Sequence, residues 1–585
     1  MKTCCLLFSN LKNKENIFFS LILILNLILT IYGNNWGLPD RWNVDESVAT
    51  SLKMAAQKTI LPPKNDTHPT FYYFFLMLVL SPYIFYLKLS GFPIEQLRQT
   101  AAVSWIKFAE VFPEIATNLY FIARCASALL GALTIYLIFL IAARLYNKKV
   151  GLYSAGVLAI TMGFVAENHF AKSSALVNLL VTVVILLCIK ALHEKVFHKY
   201  FYLAAFLVGL SFSTKFNGAI GLLSLLTSYL LRKNKAIEED VALRSMPFRM
   251  KLRFYFFSKA LFFSLLLICL GIITGYPAII INSTYFIKGV LYYKVYLPGA
   301  SQITSVNLHI FTGLKNNFLR LISIFGPALC LFVIFGFLKA LREIRKKKYQ
   351  PELLLILIFV FTYFIIFSAF QRYPKMAVVK YIILIIPILS VFGGKAIYDF
   401  ISIKWLSNRM KVAVLASVFF ISVIYTLSLD VTFARKDTRY AVTRWVEENI
   451  LSGSTISIFD EVDWLFSSKL LSRYNVIYFG NSSIQSRDKN LFQNLNDEKL
   501  REGYFAYLNE YGIRSDYAIV SINSFAKLSD YIIDPGLNVQ GNKFMQRLIN
   551  GELGYKLVKK FEDKMPFFWN PKNEYMSPTI LVYKR

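Results

Sequence analysis

Two adjacent carboxylates, Asp45 and Glu46, begin a helix-like stretch in the polar segment 34–70, directly after the first apolar run of the chain. Acidic residues at such a position lie at a membrane surface, where they can serve a lipid-linked substrate. Neighbouring residues of a helix point about 100° apart, so the two cannot easily act on one atom. We therefore assign chemistry to Asp45 and a supporting role to Glu46.

The same four residues also fit a purely structural pattern. In Asn43-Val44-Asp45-Glu46 the asparagine can cap a helix while the glutamate three positions later reaches back to its amide, which is a capping box. The sequence then predicts a helix through Ser47–Lys58. Catalysis and plain capping both remain open from the residues alone.

Several basic residues are predicted to lie on the outer side of the membrane, against the usual distribution. Lys215 interrupts a long apolar stretch, and Arg372 and Lys380-Tyr381 form a second group. A charge within an apolar segment normally has a partner or a task, so these cations are candidates for binding a lipid phosphate. The alternative for Lys215 is a side chain that snorkels to the interface between two helices.

Two histidines fall near the same predicted surface. His68-Pro69 precedes an apolar run, and His169 ends another, with Glu167 close by in sequence. A lone histidine is more often structural, and a metal site needs more ligands than this region offers. We assign no metal or other cofactor, although a divalent metal stays open.

The elements that must position these residues are membrane helices. Of the 585 residues 56% are hydrophobic and 16% aromatic, which indicates a polytopic α-helical membrane protein. The net charge of +30 comes from Lys and Arg in short loops between apolar runs, so it reflects the positive-inside rule and not nucleic-acid binding. We predict eleven spans, at about 16–33, 118–143, 150–168, 173–191, 201–215, 217–231, 256–279, 319–340, 352–370, 378–397 and 412–429.

The loop charges also predict the orientation. With the basic loops in the cytoplasm, the N-terminus is cytoplasmic, and the first outer loop (34–117) and the C-terminal region lie outside an inner or plasma membrane. The run 71–89 is apolar enough to span, but a twelfth span would move basic loops outside. We predict that it lies along or dips into the outer surface.

The C-terminal region, 430–585, is polar and predicts a small extracytoplasmic α/β domain. Thr438–Ile450 has helical periodicity with Trp445 on its apolar face. Strand-like runs follow, at Thr455–Phe459, Asn475–Phe479, Tyr517–Ser521 and Thr579–Tyr583. The transmembrane part therefore comprises residues 1–429.

A series of short motifs runs through the chain in a recognisable order. They are Leu38-Pro39-Asp40, Asp45-Glu46, His68-Pro69, Phe71-Tyr72-Tyr73, Arg124, Gly209-Leu210, Thr214-Lys215-Phe216, Tyr276-Pro277, Lys380-Tyr381, Pro387, and Asp437-Thr438-Arg439 with Trp445. Together they resemble the GT-C superfamily of membrane glycosyltransferases, and within it the protein O-mannosyltransferase and lipid A aminoarabinose transferase group.

The resemblance implies transfer of a sugar from a polyprenyl-phosphate donor to an acceptor hydroxyl of a protein, lipid or glycan at the outer membrane face. It implies Asp45 as the general base, with inversion at the sugar, and Glu46 as a cap or orienting group. Cations stabilise the leaving phosphate, and further residues shape the site. The phosphate-binding candidates are Lys215, Arg372, Lys380 and Tyr381, and the site-shaping candidates are His68, Arg124 and His169.

One departure from the family stands out. Many relatives carry an aspartate where this chain has Ser174, in the stretch His169-Phe170-Ala171-Lys172-Ser173-Ser174. This puts a second acidic role in doubt and suggests a branch with a different substrate.

Two other functions remain open: a flippase for lipid-linked sugars, and a non-catalytic assembly protein that binds partners through its C-terminal domain. Neither would require Asp45.

Overall fold

The structure is a computed structural model of the chain. It describes residues 13–39, 43, 45–63, 68–194, 199–256, 258–282, 287, 310–345, 350–369, 382–459, 473–479, 484–486, 515–522, 539–562 and 579–585. The chain divides into two compact units, one formed by Met1–Asn34 with Asp45–Leu427 and the other by Asn35–Val44 with Ser428–Arg585. Each unit is described below by itself.

Helices make up the first unit. In chain order the described helices are α1 (Asn13–Ile31), α2 (Val48–Ala56), α3 (Phe71–Leu89), α4 (Ile94–Val103), α5 (Trp105–Val111), α6 (Pro113–Leu145), α7 (Lys148–Ala159), α8 (Met162–Asn168), α9 (Ser173–Ala191), α10 (Lys199–Thr214), α11 (Gly221–Glu239), α12 (Val241–Ser245), α13 (Phe248–Phe256), α14 (Lys259–Gly275), α15 (Ala278–Ile281), α16 (Ile310–Phe325), α17 (Pro327–Arg345), α18 (Pro351–Ala369), α19 (Ile386–Ile401) and α20 (Asn408–Ala434). Short 3-10 turns at Phe216–Ile220 and Ile383–Ile385 precede α11 and α19.

Many of these helices are long and apolar enough to cross a membrane. In the described part of the chain eight helices qualify by length and composition, or nine if the bent pair α7 and α8 is one span. A hydrocarbon core about 30 Å thick needs roughly 20 apolar residues in a helix, which these segments supply. The protein is therefore a polytopic α-helical membrane protein, as the sequence predicts, with fewer clear spans than the predicted eleven.

Part of the difference in number comes from helices that break. The predicted span 150–168 is two helices bent by 65° between Ala159 and Met162. The predicted span 319–340 is interrupted at Gly326, which has a φ of +73° and precedes Pro327. Proline disfavours helical geometry in the residue before it, and glycine adopts the left-handed region at no steric cost.

One prediction about the helices is confirmed, and a second stays untested. The polar residues 213–215 were expected to separate two helices, and α10 indeed ends at Thr214 while α11 begins at Gly221. The run 71–89 forms one helix, α3, which is long and apolar enough to span. Its placement along or across the membrane stays a prediction.

Helix α10 and helix α14 approach each other very closely. A Cβ added to Gly209 would lie 2.2 Å from the carbonyl oxygen of Ile268 and 2.9 Å from the Cα of Gly271. The two glycines therefore allow backbone-to-backbone contact, which is a common way of packing membrane helices. This contact fixes the C-terminal end of α10, where Lys215 follows.

The second unit contains a mixed six-stranded sheet. In chain order its described elements are α21 (Thr438–Asn449), β1 (Thr455–Phe459), β2 (Asn475–Phe479), β3 (Ile484–Ser486), β4 (Tyr517–Ile522), α22 (Val539–Ile549), β5 (Lys556–Phe561) and β6 (Thr579–Lys584). The strand order is β3-β2-β1-β4-β6-β5. Strand β1 is parallel to β2 and β4, whereas β6 is antiparallel to β4 and β5.

The two faces of this sheet are covered by different helices. Ile456 and Ile519 belong to a core with Val446 of α21, while Val520 and Phe459 belong to a core with Phe544 of α22. This alternation follows the two-residue period of a strand. The predicted helix, Trp445 on its packed face and the four predicted strands are confirmed.

Candidate active site

A buried ion pair lies at the centre of the candidate site. Arg124 of α6 donates from Nε to Oε1 of Glu46 at 2.8 Å and from Nη2 to Oε2 at 2.7 Å, so the contact is bidentate. Both side chains are fully excluded from solvent. Arg124 also donates from Nη1 to the carbonyl oxygen of Asn34, which follows the end of α1. Charge-assisted bidentate pairs are strong and directional, so Glu46 has a fixed position.

The loop between α8 and α9, residues 169–172, also binds the segment that contains Glu46. The backbone N–H of Ala171 donates to Glu46 Oε1 at 3.0 Å, and the backbone N–H of Ser47 donates to the carbonyl of Ala171 at 3.1 Å. Residues 46 and 47 are thus tied to the loop at two points. Asp45, which is half-buried, precedes this tied segment directly.

The predicted capping box is wrong. Helix α2 begins at Val48 with Ser47 at its N-cap position, so Asn43 and Glu46 both precede the helix. The carboxylate of Glu46 is engaged with Arg124 and Ala171, and its capping role is replaced by the ion pair. The pattern failed because a buried arginine, 78 residues away in the chain, is a stronger partner for a carboxylate than a backbone amide.

An aromatic ring of the loop lies close to two cations, one from α6 and one from the loop itself. Phe170 is fully buried, with the guanidinium carbon of Arg124 5.3 Å and the Nζ of Lys172 5.0 Å from its ring centre. Lys172 also lies 3.7 Å from Glu167 Oε1. Cations over an aromatic face are attracted by its quadrupole, so this arrangement makes the loop rigid.

Lys215 reaches the same part of the molecule. Its Nζ donates to Ser174 Oγ in the first turn of α9 at 3.3 Å. The sequence placed Lys215 in the site and marked Ser174 as a departure from the family, and the structure brings these two residues together. Ser174 follows Ala171 by three residues, which links Lys215 to the segment that holds Glu46.

The histidines have contrasting environments. His169 is fully buried, and burial followed by the positive charge of Arg124 lowers the pKa of His169 to about 3, partly opposed by hydrogen bonds with the backbone of Gly33 and Thr30. His169 is therefore a neutral, buried side chain of this loop in the folded protein. His68 is exposed.

Three predicted phosphate-binding residues, Arg372, Lys380 and Tyr381, lie outside the described residues. Their roles stay predictions. In the ranges that the structure covers, no three His, Cys, Asp or Glu side chains are grouped so that they could hold a metal ion.

Sequence reasoning missed two features of this site. The backbone amide of Ala171 cannot be recognised from its side chain, and its role depends on the fold alone. Tyr72 of α3 lies with its hydroxyl 3.5 Å from Ser127 Oγ, one turn after Arg124 on α6. The motif Phe71-Tyr72-Tyr73 contained the signal for Tyr72, but nothing local distinguished it from an apolar core residue.

One comparison with known proteins matches the part of the chain that contains several of these residues. A family model described as dolichyl-phosphate-mannose-protein mannosyltransferase matches residues 100–246. The resemblance is thus confirmed for this range. It includes Arg124, Ser174 and Lys215, whereas Asp45 and Glu46 precede it.

The solved structures that match the chain have low sequence identity to it. ArnT from Cupriavidus metallidurans bound to undecaprenyl phosphate is 12% identical, with 97% of each chain covered and a TM-score of 0.46. The archaeal oligosaccharyltransferase AglB from Archaeoglobus fulgidus, in complex with an inhibitory peptide and a dolichol-phosphate, is 11% identical, with 92% of this chain and 72% of that chain covered and a TM-score of 0.49. No curated protein sequence matches the chain significantly.

Proposed function

We propose that the protein is a membrane glycosyltransferase that moves a sugar from a polyprenyl-phosphate donor to an acceptor hydroxyl, with Asp45 as the general base. The observation that carries the proposal is the attachment of residues 46 and 47 to Arg124 and to Ala171. It holds the backbone next to Asp45 in one position beside the loop that leads to Ser174 and Lys215. The mannosyltransferase family match over residues 100–246 supports the reaction class.

The two carboxylates have different roles in this proposal. Both oxygens of Glu46 accept hydrogen bonds from the buried Arg124, so Glu46 is an orienting group and not a base. Asp45 is half-buried and can reach the surface where an acceptor arrives. A base needs access to the substrate hydroxyl before it needs a tuned pKa, and accessibility therefore favours Asp45.

The reaction is a single displacement. The acceptor oxygen forms a bond to the anomeric carbon while the bond from that carbon to the phosphate oxygen breaks. The acceptor proton goes to Asp45, and the electron pair of the broken bond leaves with the polyprenyl phosphate. The anomeric configuration is inverted. Lys215 stabilises the developing charge of the phosphate, with Arg372, Lys380 and Tyr381 as further contacts.

The experiment that tests this proposal uses Asp45→Asn, which keeps the size of the side chain but removes its basicity. Purified protein in lipid is offered polyprenyl-phosphate sugars, and release of polyprenyl phosphate is measured. We expect a fall of at least about a hundredfold, the usual contribution of a general base. Asp240→Asn, an exposed aspartate between α11 and α12, is the matched control.

The outcomes separate the three functions. Loss of release in Asp45→Asn at normal thermal stability supports the transferase. Equal release by wild type and Asp45→Asn removes Asp45 as the base. Movement of the intact donor across the bilayer without release supports a flippase, and neither activity in the presence of mixed acceptors supports an assembly protein.

We also propose that the second unit lies outside the cell membrane and the N-terminus in the cytoplasm. The basic loops support this orientation through the positive-inside rule. Ser452, exposed before β1, and Ser407, before α20, are suitable positions for single cysteines. A membrane-impermeant maleimide should label Ser452→Cys in intact cells and should label Ser407→Cys only after lysis; the reverse result contradicts the orientation.

A further inference from the structure

The ten-residue segment just before Asp45 belongs to a different unit from the residues on either side of it. Asn35–Val44, called here loop 35–44, is part of the second unit, and the chain returns to the first unit at Asp45. Both ends of this loop are bonded to one side chain. Arg124 donates to the carbonyl oxygen of Asn34, directly before the loop, and to the carboxylate of Glu46. Asp45 therefore links loop 35–44 to the fixed Glu46.

Loop 35–44 is anchored within the second unit by Trp36. The side chain of Trp36 is 5% exposed, and its ring meets that of Phe433 edge to face, with 5.7 Å between the centroids. The guanidinium carbon of Arg439 lies 5.9 Å from the centre of the Trp36 ring. Edge-to-face ring pairs, and cations near the face of an indole, are favourable beyond the area that they bury. Trp36 thus ties the loop to the end of α20 and the start of α21.

Arg439 has a fixed place in the same unit. Asp437 is the N-cap of α21, and its Oδ1 accepts from the backbone N–H of Arg439 at 3.0 Å. The Nε of Arg439 lies 3.8 Å from the same oxygen, and both side chains are buried. Farther along α21, Val446 packs on the sheet. The motif Asp437-Thr438-Arg439 therefore connects Trp36 to the sheet of the second unit.

We propose that Trp36 is a positioning residue for Asp45, through which the second unit helps to set where this carboxylate points. The inference rests on the proposed function, since it concerns the base of that reaction. The bonds of residues 46 and 47 fix the backbone on the C-terminal side of Asp45. Trp36 restricts it from the N-terminal side. Each residue of a released loop regains two soft torsions, and a misplacement of about 1 Å can cost a hundredfold in rate.

The test compares variants of Trp36 in the full-length protein in lipid. Release of polyprenyl phosphate is measured with the polyprenyl-phosphate sugar that wild type cleaves fastest. For Trp36→Ala we expect kcat to fall about tenfold while KM for the donor stays within about twofold, because the base moves and the donor site does not. Trp36→Phe keeps a ring and should recover kcat to within about threefold of wild type.

Trp445→Ala is the matched control. Trp445 lies in the same unit, is half-buried and packs edge to face against Phe561, with 6.3 Å between the ring centroids. Its removal takes away a side chain of the same size from α21 without touching loop 35–44. We expect kcat of Trp445→Ala to stay within about twofold of wild type, although the second unit loses a packing contact.

A double variant shows whether Trp36 acts through Asp45. In an Asp45→Asn background, Trp36→Ala should lower the remaining rate by less than about twofold, because the base that it would misplace is gone. A general loss of structure would instead lower that rate about tenfold again. Hydrogen exchange gives a readout that is independent of the chemistry. In Trp36→Ala, peptides covering residues 35–47 should exchange faster, while those covering α9 keep their wild-type rates.

The outcomes separate this inference from the proposed function. If Asp45→Asn is as fast as wild type, Asp45 is not the base, and the proposed function and this inference both fail. If Asp45→Asn is slow but Trp36→Ala keeps the wild-type kcat, the proposed function stands and the positioning role is refuted. Equal effects of Trp36→Ala in both backgrounds, or unchanged exchange of residues 35–47, refute it as well.

A milder change keeps the inference testable if Trp36→Ala does not fold. Phe433→Leu removes the ring that Trp36 meets but keeps an apolar side chain at this buried position. A fall in kcat of about threefold, with KM unchanged, supports the positioning role. A wild-type kcat in Phe433→Leu and in Trp36→Phe contradicts it.

Discussion

Glu46 and Arg124 form a bidentate ion pair in which neither side chain is exposed to solvent, although 78 residues separate them in the chain. Removing two charges from water is costly, and the pair compensates only because its geometry is good and its remaining hydrogen-bonding groups are used. Asn34 and Ala171 supply those further bonds. The pair therefore connects three parts of the chain: the segment after α1, helix α6 and the loop before α9.

Removing one member of this pair should be strongly destabilising. Glu46→Ala leaves the guanidinium of Arg124 buried without its carboxylate, which costs about 3–5 kcal/mol. We expect a large fall in the thermal midpoint of the purified protein. Glu95→Ala is the matched control, because Glu95 pairs with Arg98 on the surface and such pairs contribute at most about 1 kcal/mol. Equal effects of the two changes would contradict the structural role of Glu46.

The contact between α10 and α14 gives a second prediction. Gly209→Ala places a Cβ 2.2 Å from the Ile268 carbonyl oxygen, so the helices must separate. Overpacking of this kind costs about 1–3 kcal/mol, and it should also weaken the proposed donor binding because Lys215 follows α10. Gly156→Ala in α7 is the control, since its Cβ would meet only Ile22 Cδ1 at 3.8 Å. A Gly209→Ala protein as stable as wild type would show that the contact is looser.

The sheet of the second unit gives a third prediction, which concerns the stability of its core. Ile519 of β4 is fully buried beneath α21, and Ile519→Ala should lower the free energy of unfolding of this unit by about 2–5 kcal/mol. Leu557→Ala on β5 is a matched change at a position that is 51% exposed, and should have little effect. Limited proteolysis measures both. Equal resistance of the two variants would contradict this core.

The sequence predicted those parts of the fold that have a local signal. Apolar runs and strand alternation are properties of neighbouring residues, which is why α21 and four strands were predicted correctly. Strand β5 was missed because its sequence, Lys556–Phe561, is mostly exposed and rich in lysine, as befits an edge strand. The bend after Ala159 was missed because the apolar pattern continues through it.

The sequence predicted which residues belong to the candidate site, but not which of them are in contact. The sequence named Glu46, Arg124, Lys215 and Ser174 for separate reasons, but which of them pair depends on contacts between distant segments. The capping box was a sound local interpretation that a long-range ion pair overrode. A backbone amide such as that of Ala171 carries no sequence signal at all.

His169 gives a prediction about pH. Its loop lies outside the candidate spans, and burial, with Arg124 and Lys172 nearby, lowers its folded-state pKa to about 3. An unfolded histidine has a pKa near 6.5, so the unfolded chain takes up the proton first as the pH falls. The contribution to stability is unchanged above about pH 6.5 and is lost progressively between pH 6.5 and 3, by about 2 kcal/mol at pH 5.

This dependence is measured as the difference between wild type and His169→Gln in denaturant unfolding at pH 7.5 and pH 5. Wild type should lose about 2 kcal/mol more than the variant over this interval, because glutamine does not titrate. His68→Gln serves as the control, since His68 is exposed and its replacement should leave the pH dependence as in wild type. If His169→Gln and wild type lose stability in parallel, then the buried loop already admits a proton at pH 5. The contacts that the loop makes with Glu46 and Ser47 would then have to open in mild acid, and the proposed transferase activity should fall over the same interval.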